Sequence, residues 1–135
     1  MTDLQMPLTR LLGLEFTHTE AGEVRGRLAW REDLCTAAGI LHGGALMAMA
    51  DSVGAMCAVL NLPEGHLTST IESKTNFFRA VREGSVEAVA RPLHVGRTTI
   101  VVQTDLLDDK GRRVARVTQT QAVLPERERS SGRTT

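Results

Sequence analysis

The stretch GILHGGALMAMADSVGAMCAVL, residues 39–60, holds one formally charged side chain, Asp51, among alanines, methionines and other small or apolar residues. Its part from 45 to 60 is rich in Ala, Leu and Met, which form helices readily. At roughly 1.5 Å per residue such a helix would be about 24 Å long. Asn61 and Pro63 supply a stop signal. The segment is apolar nearly all round, so the expectation is a helix buried on most sides. Asp51, His42 and the glycines argue against a membrane span. Small residues such as Ala48, Ala55 and Ala58 would let a sheet approach closely.

Outward from this helix, LTRLLG at 8–13 reads as a short helix ending at Gly13. GEVRGRLAW at 22–30 alternates as a strand does, although Gly26 weakens the pattern. REDLCTAAGI at 31–40 reads as a loop. The second half holds four successive antiparallel strand candidates, at 66–80, 85–96, 98–111 and 112–124. Turn signals fall at 82–84, near Gly96 and at 109–111. Residues 125–135, PERERSSGRTT, lack an apolar period and read as a flexible tail after a single domain at 1–124. The class is α+β, with one long central helix wrapped by an antiparallel sheet. The sheet would still leave edges open, which pairing of subunits would cover.

Composition bounds the function. The 135 residues carry 16 basic and 16 acidic side chains, which gives no electrostatic footprint for nucleic acid. Cys35 and Cys57 form no CxxC or metal-ligand cluster and read as free thiols in a reducing compartment. The N-terminal MTDLQMPLTR has no long apolar run, so a cytoplasmic protein without a signal peptide or membrane contact is expected.

An unpaired buried Asp inside a helix costs several kcal/mol, so Asp51 needs a reason. It is either a structural carboxylate or a reacting one, and burial would raise its pKa and make it a better base. Just before the helix, His42-Gly43-Gly44 would leave unpaired backbone N–H groups where glycines let a ligand oxygen approach. That suits polarisation of a carbonyl. His42 could equally order the loop or act directly. His42 and Asp51 stand nine positions apart, about 13.5 Å along a helix. One helix cannot bring both onto one reacting group. If both serve one reaction, two antiparallel subunits must share it.

These residues resemble the hotdog-fold acyl-CoA thioesterases, in particular the branch with the phenylacetate-degradation thioesterase and a bacterial 4-hydroxybenzoyl-CoA thioesterase. The resemblance rests on Gly39, LHGG at 41–44, Ala50-Asp51, NFFRAVREG at 76–84, HVGRTT at 94–99 and DLLDDKGRRVA at 105–115, and spans 13–124. It implies a central helix wrapped by five or six antiparallel strands, a homodimer with a continuous double sheet, and pairing of dimers into tetramers. It further implies Asp51 as base or nucleophile on a thioester and the Gly43 N–H as the group polarising its carbonyl. Thr36 stands where relatives often place Asn or Gln, and Ala55 where some 4-hydroxybenzoyl-specific relatives have Thr. Ser69 matches a serine that some relatives use around the attacking water, and ordinary sheet surface is the competing reading. Coenzyme A carries phosphates, for which Arg97 with Gly96, then Arg79, are the favoured contacts. Phe77 and Phe78 cannot both face one way on a strand, so one is expected in the core and the other beside the acyl or pantetheine pocket.

No metal cluster, P-loop or dinucleotide fingerprint appears in the sequence, so the expected cofactor list is empty and coenzyme A arrives as part of the substrate. The leading expectation is hydrolysis of an acyl-CoA thioester, with aromatic acyl groups such as phenylacetyl or hydroxybenzoyl among the candidates. The alternatives are a dehydratase of the same fold, a thioesterase for acyl-carrier-protein or aliphatic substrates, and a non-catalytic acyl-CoA binding protein.

Overall fold

The computed structural model describes residues 6–127. Its elements are α1 (Pro7–Leu12), β1 (Glu15–Glu20), β2 (Glu23–Ala29), a 3-10 turn (Glu32–Leu34), α2 (Gly43–Leu60), β3 (His66–Phe77), β4 (Ser85–Val95), β5 (Thr99–Leu107) and β6 (Arg113–Pro125). The six strands form one antiparallel sheet in the order β1-β2-β4-β5-β6-β3. The sheet wraps α2, which contacts every strand.

The wrap follows from side-chain alternation. On β5, Ile100, Val102, Thr104 and Leu106 are buried while their neighbours are half-exposed. On β6 the buried row is Ala115, Val117, Gln119, Gln121 and Val123. These faces close on Met49, Val53 and Cys57 of α2. Gly26, which weakened the reading of β2, is explained by this packing. A Cβ there would stand 2.8 Å from Val53 Cγ2 and 3.2 Å from Leu14 Cδ1. The helix crosses the sheet where a side chain is missing.

By length and mean hydropathy (1.5) α2 could cross a membrane, but half of that window is buried inside the fold, as a core helix would be. It begins two residues earlier than its composition suggests, at Gly43, because His42 serves as its N-cap. The short first helix ends as expected: Gly13 adopts φ 77°, and its N–H bonds to the Arg10 carbonyl.

Three features depart from the sequence reading. Strand β1, EFTHTE, was not anticipated; it is an edge strand with an irregularity between Phe16 and His18, so its alternation is broken. The loop at 31–40 contains the 3-10 turn and is pinched by a bridge between Cys35 and Leu41. The four later strands do not pair in chain order, since β3 adds beside β6 at the far edge while β4 pairs with β2. Local patterns report strand character and carry no information about which edge a strand joins. Of the expected tail, Pro125 still belongs to β6 and the Glu126 N–H bonds to the Gly65 carbonyl; 128–135 lie outside the described residues.

Candidate active site

The entry to α2 is built by local hydrogen bonding. His42 Nδ1 accepts the Gly44 N–H at 2.7 Å, so this nitrogen carries no proton and the ring is tied back on the helix. The His42 carbonyl accepts from Ala45 and Leu46, and its N–H bonds to the Leu34 carbonyl. Leu41 is held through its N–H to the Val81 carbonyl. Among the described residues the Gly43 N–H has no such partner. His42 therefore orders the turn and thereby leaves one helix-terminal donor available. A Cβ at Gly43 would stand 3.1 Å from Cζ of Phe77, so that ring lies directly over the glycine. Neither phenylalanine enters the core, contrary to expectation: Phe77 is 49% and Phe78 58% exposed. Both lie where the sheet ends and no further strand covers them.

Asp51 lies on the exposed face of α2 in the single chain. Burial of the acid, expected from the apolar helix, is not supplied by the described residues, among which β3 is the last strand and nothing lies beyond it. Asp51 Oδ1 instead accepts from Thr70 Oγ1 and Gln119 Nε2, each at 3.4 Å. Gln121 Nε2 donates to Thr70 Oγ1 at 2.8 Å, and Gln121 Oε1 accepts from Thr68 Oγ1 at 3.1 Å. From Gly43 to Asp51 runs about 12 Å of unbroken helix, so the donor and the carboxylate of one chain remain apart.

The other expected site residues separate. Thr36 is exposed and its hydroxyl accepts the Ala38 N–H at 3.3 Å within its own turn, which leaves the hydroxyl proton to donate elsewhere. Ser69 lies between Thr68 and Thr70, both of which engage Gln121 on the inner side. Pleat alternation therefore turns Ser69 to the outer face, and Thr70 is the hydroxyl beside Asp51. Gly96 forms the β4–β5 turn, its N–H bonding to the Thr99 carbonyl, with exposed Arg97 next to it. Arg79 lies at the opposite end of β4, in an open cleft of about 330 Å³ lined also by Arg82, Lys110, Arg112, Asp108 and Asp109. Glu83 also lines it, and the two aspartates there are engaged. Asp108 is held by Arg112 and by the backbone of Lys110 and Arg112, which keeps it below the ordinary carboxylate range despite its desolvation. Asp109 accepts from Ser85. One chain thus puts Arg79 and Arg97 at opposite ends of the sheet.

Gln119 and Gln121 were missed in the sequence, as was Thr70. Their signal is faint but present: VTQTQAV at 117–123 puts two amides on positions that alternation assigns to the core.

Residues 38–115 match the thioesterase superfamily family model. A proofreading thioesterase, EntH, of Klebsiella pneumoniae is 34% identical over 102 residues, 76% of this chain and 74% of that protein. The 1,4-dihydroxy-2-naphthoyl-CoA hydrolase of Escherichia coli is 36% identical over 86 residues, 64% of this chain and 63% of that protein. Among solved structures, a mutant of thioesterase PA1618 from Pseudomonas aeruginosa superposes with a TM-score of 0.83 at 32% identity, covering 87% of this chain and 86% of that one. Helix α2 inside its six-stranded wrap is the hotdog fold, and with the family match and these relatives it places the chain in the thioesterase superfamily, as a hydrolytic enzyme.

Proposed function

We propose that the protein hydrolyses acyl-CoA thioesters at sites shared by two antiparallel subunits, with an aromatic acyl group as the preferred substrate. The carrying observation is that Gly43 and Asp51 lie on one helix about 12 Å apart, while β3 beside them, twelve residues long, is an edge that none of the described residues covers. A two-fold partner seated on that edge would bring its own Asp51 to this chain's Gly43. The Gly43 N–H would then bond the thioester oxygen as negative charge develops there. Asp51 of the partner subunit would take the proton of an attacking water, or attack the carbonyl itself to give a mixed anhydride that water then cleaves to the free acid, restoring the carboxylate. The C–S bond breaks, and the CoA sulfur leaves as the thiol once protonated. Pairing would also remove Asp51 from solvent.

The same two-fold relation accounts for the separated arginines. It carries the Gly96–Arg97 turn of one chain toward the Arg79 cleft of the other, so both reach the phosphates of one coenzyme A. The aromatic preference is supported by the Phe77 ring over Gly43 and by the naphthoyl-CoA substrate in the E. coli relative's name. It fits the phenylacetate or 4-hydroxybenzoyl branch as one source of such esters. Dimers pairing into tetramers, and a cytoplasmic setting suited to the free thiols Cys35 and Cys57, belong to the same reading.

The test is CoA release by native protein and Asp51→Asn on phenylacetyl-, hydroxybenzoyl-, short-chain and long-chain acyl-CoA. Native protein should favour the aromatic esters, and Asp51→Asn should lose about 10²–10⁴-fold in kcat. Full turnover by Asp51→Asn would remove Asp51 from the mechanism. A preference for straight chains would remove the aromatic assignment, and a stable active monomer in sedimentation would remove the shared site.

A further inference from the structure

Gln119 is fully buried in a row that holds Ala115, Val117 and Val123 beside a second amide, Gln121, and among the described residues its Oε1 has no hydrogen-bond partner. An apolar residue of similar size would avoid that penalty. Helix α2 makes room for the amide at Gly54, where a Cβ would collide with Gln119 Oε1. Among the described residues the one bond the amide makes is from Nε2 to Asp51 Oδ1. From the other side, Thr70 donates to the same oxygen and is itself gripped by Gln121, also fully buried.

We infer that Gln119 and Thr70 are positioning residues for Asp51, fixing Oδ1 from two sides so that Oδ2 is presented to the reacting group. This rests on the reading of Asp51 as the reacting carboxylate. The arrangement has the form such a task needs. The donors come from two adjacent strands whose own orientation is locked: Gln119 by burial against Gly54, Thr70 by Gln121. Both bonds end on Oδ1, and among the described residues Oδ2 accepts none. A carboxylate on a bare helix face would sample several rotamers, whereas one held at a single oxygen is aimed.

Removing either donor should free Oδ1 and loosen the aim of the carboxylate. Among the described residues no second charge stands beside the carboxylate to hold it instead. Asp51 is the only ionisable group on α2 apart from Cys57, which faces the core. The inward residues of β5 and β6 are uncharged, and Glu72, Lys74 and Arg116 stand on the outer face. His66 shares the inner face of β3 but lies four residues from Thr70, its ring bonded to the Glu64 carbonyl.

The experiment compares native protein with Gln119→Leu and Thr70→Val in two readouts. In the first, kcat for an aromatic acyl-CoA should fall about 10-fold or more with KM changed less than about threefold. Thr70→Ser, which keeps the hydroxyl, should restore kcat. Thr70→Val alters an exposed edge position, so it decides the matter even if Gln119→Leu does not fold. An unchanged kcat in folded Thr70→Val overturns the inference. The second readout needs no substrate: the Gln119 side-chain amide signals in 15N NMR should titrate in native protein and stop titrating in Asp51→Asn. Amide signals independent of pH in native protein also overturn it. Titrating amides in a protein that turns over no thioester on the panel would leave the positioning intact and overturn the reaction assigned to it.

Discussion

The ring of Phe77 covers Gly43, with Cζ 3.1 Å from where a Cβ would stand. Gly43 is therefore doubly constrained: its N–H is the free donor at the start of α2, and its missing side chain is space the ring uses. Gly43→Ala should push Phe77 aside and crowd the approach to the donor. Alanine favours a helix over glycine by about 1 kcal/mol at interior positions and less at its first residue. Thermal stability should hold or rise slightly while kcat/KM falls about 10–100-fold, a loss comparable to that of an oxyanion donor. Calorimetry beside CoA-release kinetics checks this divergence, and parallel loss of both would mean the glycine serves folding alone.

A shared site makes a prediction that no single-chain site makes. Gly43→Val and Asp51→Asn chains should each be inactive alone. Mixed from unfolded chains, they should regain about one quarter of native activity, because half of random dimers are heterodimers and each of those has one intact site. Purified chains tagged differently on the two variants allow the heterodimer to be assayed by itself. No recovery in a verified heterodimer would mean that each chain completes its own site.

Gly26 carries a stability prediction with no catalytic component. Its hypothetical Cβ meets Val53 Cγ2 at 2.8 Å and the Glu15 carbonyl oxygen at 3.3 Å. Gly26→Ala should force β2 away from α2 and cost about 1–3 kcal/mol. The urea midpoint should drop accordingly. A variant of native stability would show that β2 and α2 can separate freely.

Burial pushes the Cys57 thiol up to about 11, and Cys35 is raised by desolvation and then by Glu32 and Asp33. At pH 8 the folded protein should react slowly with a thiol reagent and expose both thiols on denaturation. The linkage has a definite sign. Folded Cys57 keeps a proton that an unfolded thiol gives up near pH 8.5, so its contribution to stability declines as pH rises from there toward 11. Cys57→Ala should lose less stability than native protein between pH 8 and pH 10 in urea titrations. Equal losses would place the thiol in contact with solvent.

The central helix was legible because a long run of Ala, Leu and Met with one acid has few other uses in a chain of 135 residues. Strands β4 and β5 were legible because alternation in the first, and β-branched residues with a closing turn in the second, are local signals. The spacing of Gly43 and Asp51 already required a second chain for a common reaction, and the intact α2 keeps them apart. Strand β1 was obscured by its irregular pairing, and the place of β3 beside β6 could not be read from any window of sequence. Ser69 matched a serine of some relatives by its count from Asp51, with ordinary sheet surface as the competing reading; a count does not register the face of the pleat, and the β3 hydroxyl that bonds Asp51 is that of Thr70.

The sequence by itself determined the helix, its exposed glycine donor, its single carboxylate and the distance between them, because these follow from rise per residue and residue chemistry. Only the tertiary structure decided what surrounds that carboxylate. Gln119 and Gln121 lie 68 and 51 positions from the groups they bond, Asp51 and Thr70, and reach them only because β6 and β3 pair beneath α2. Contacts of that separation depend on strand order, which is set by how the whole apolar surface is buried and not by any segment alone.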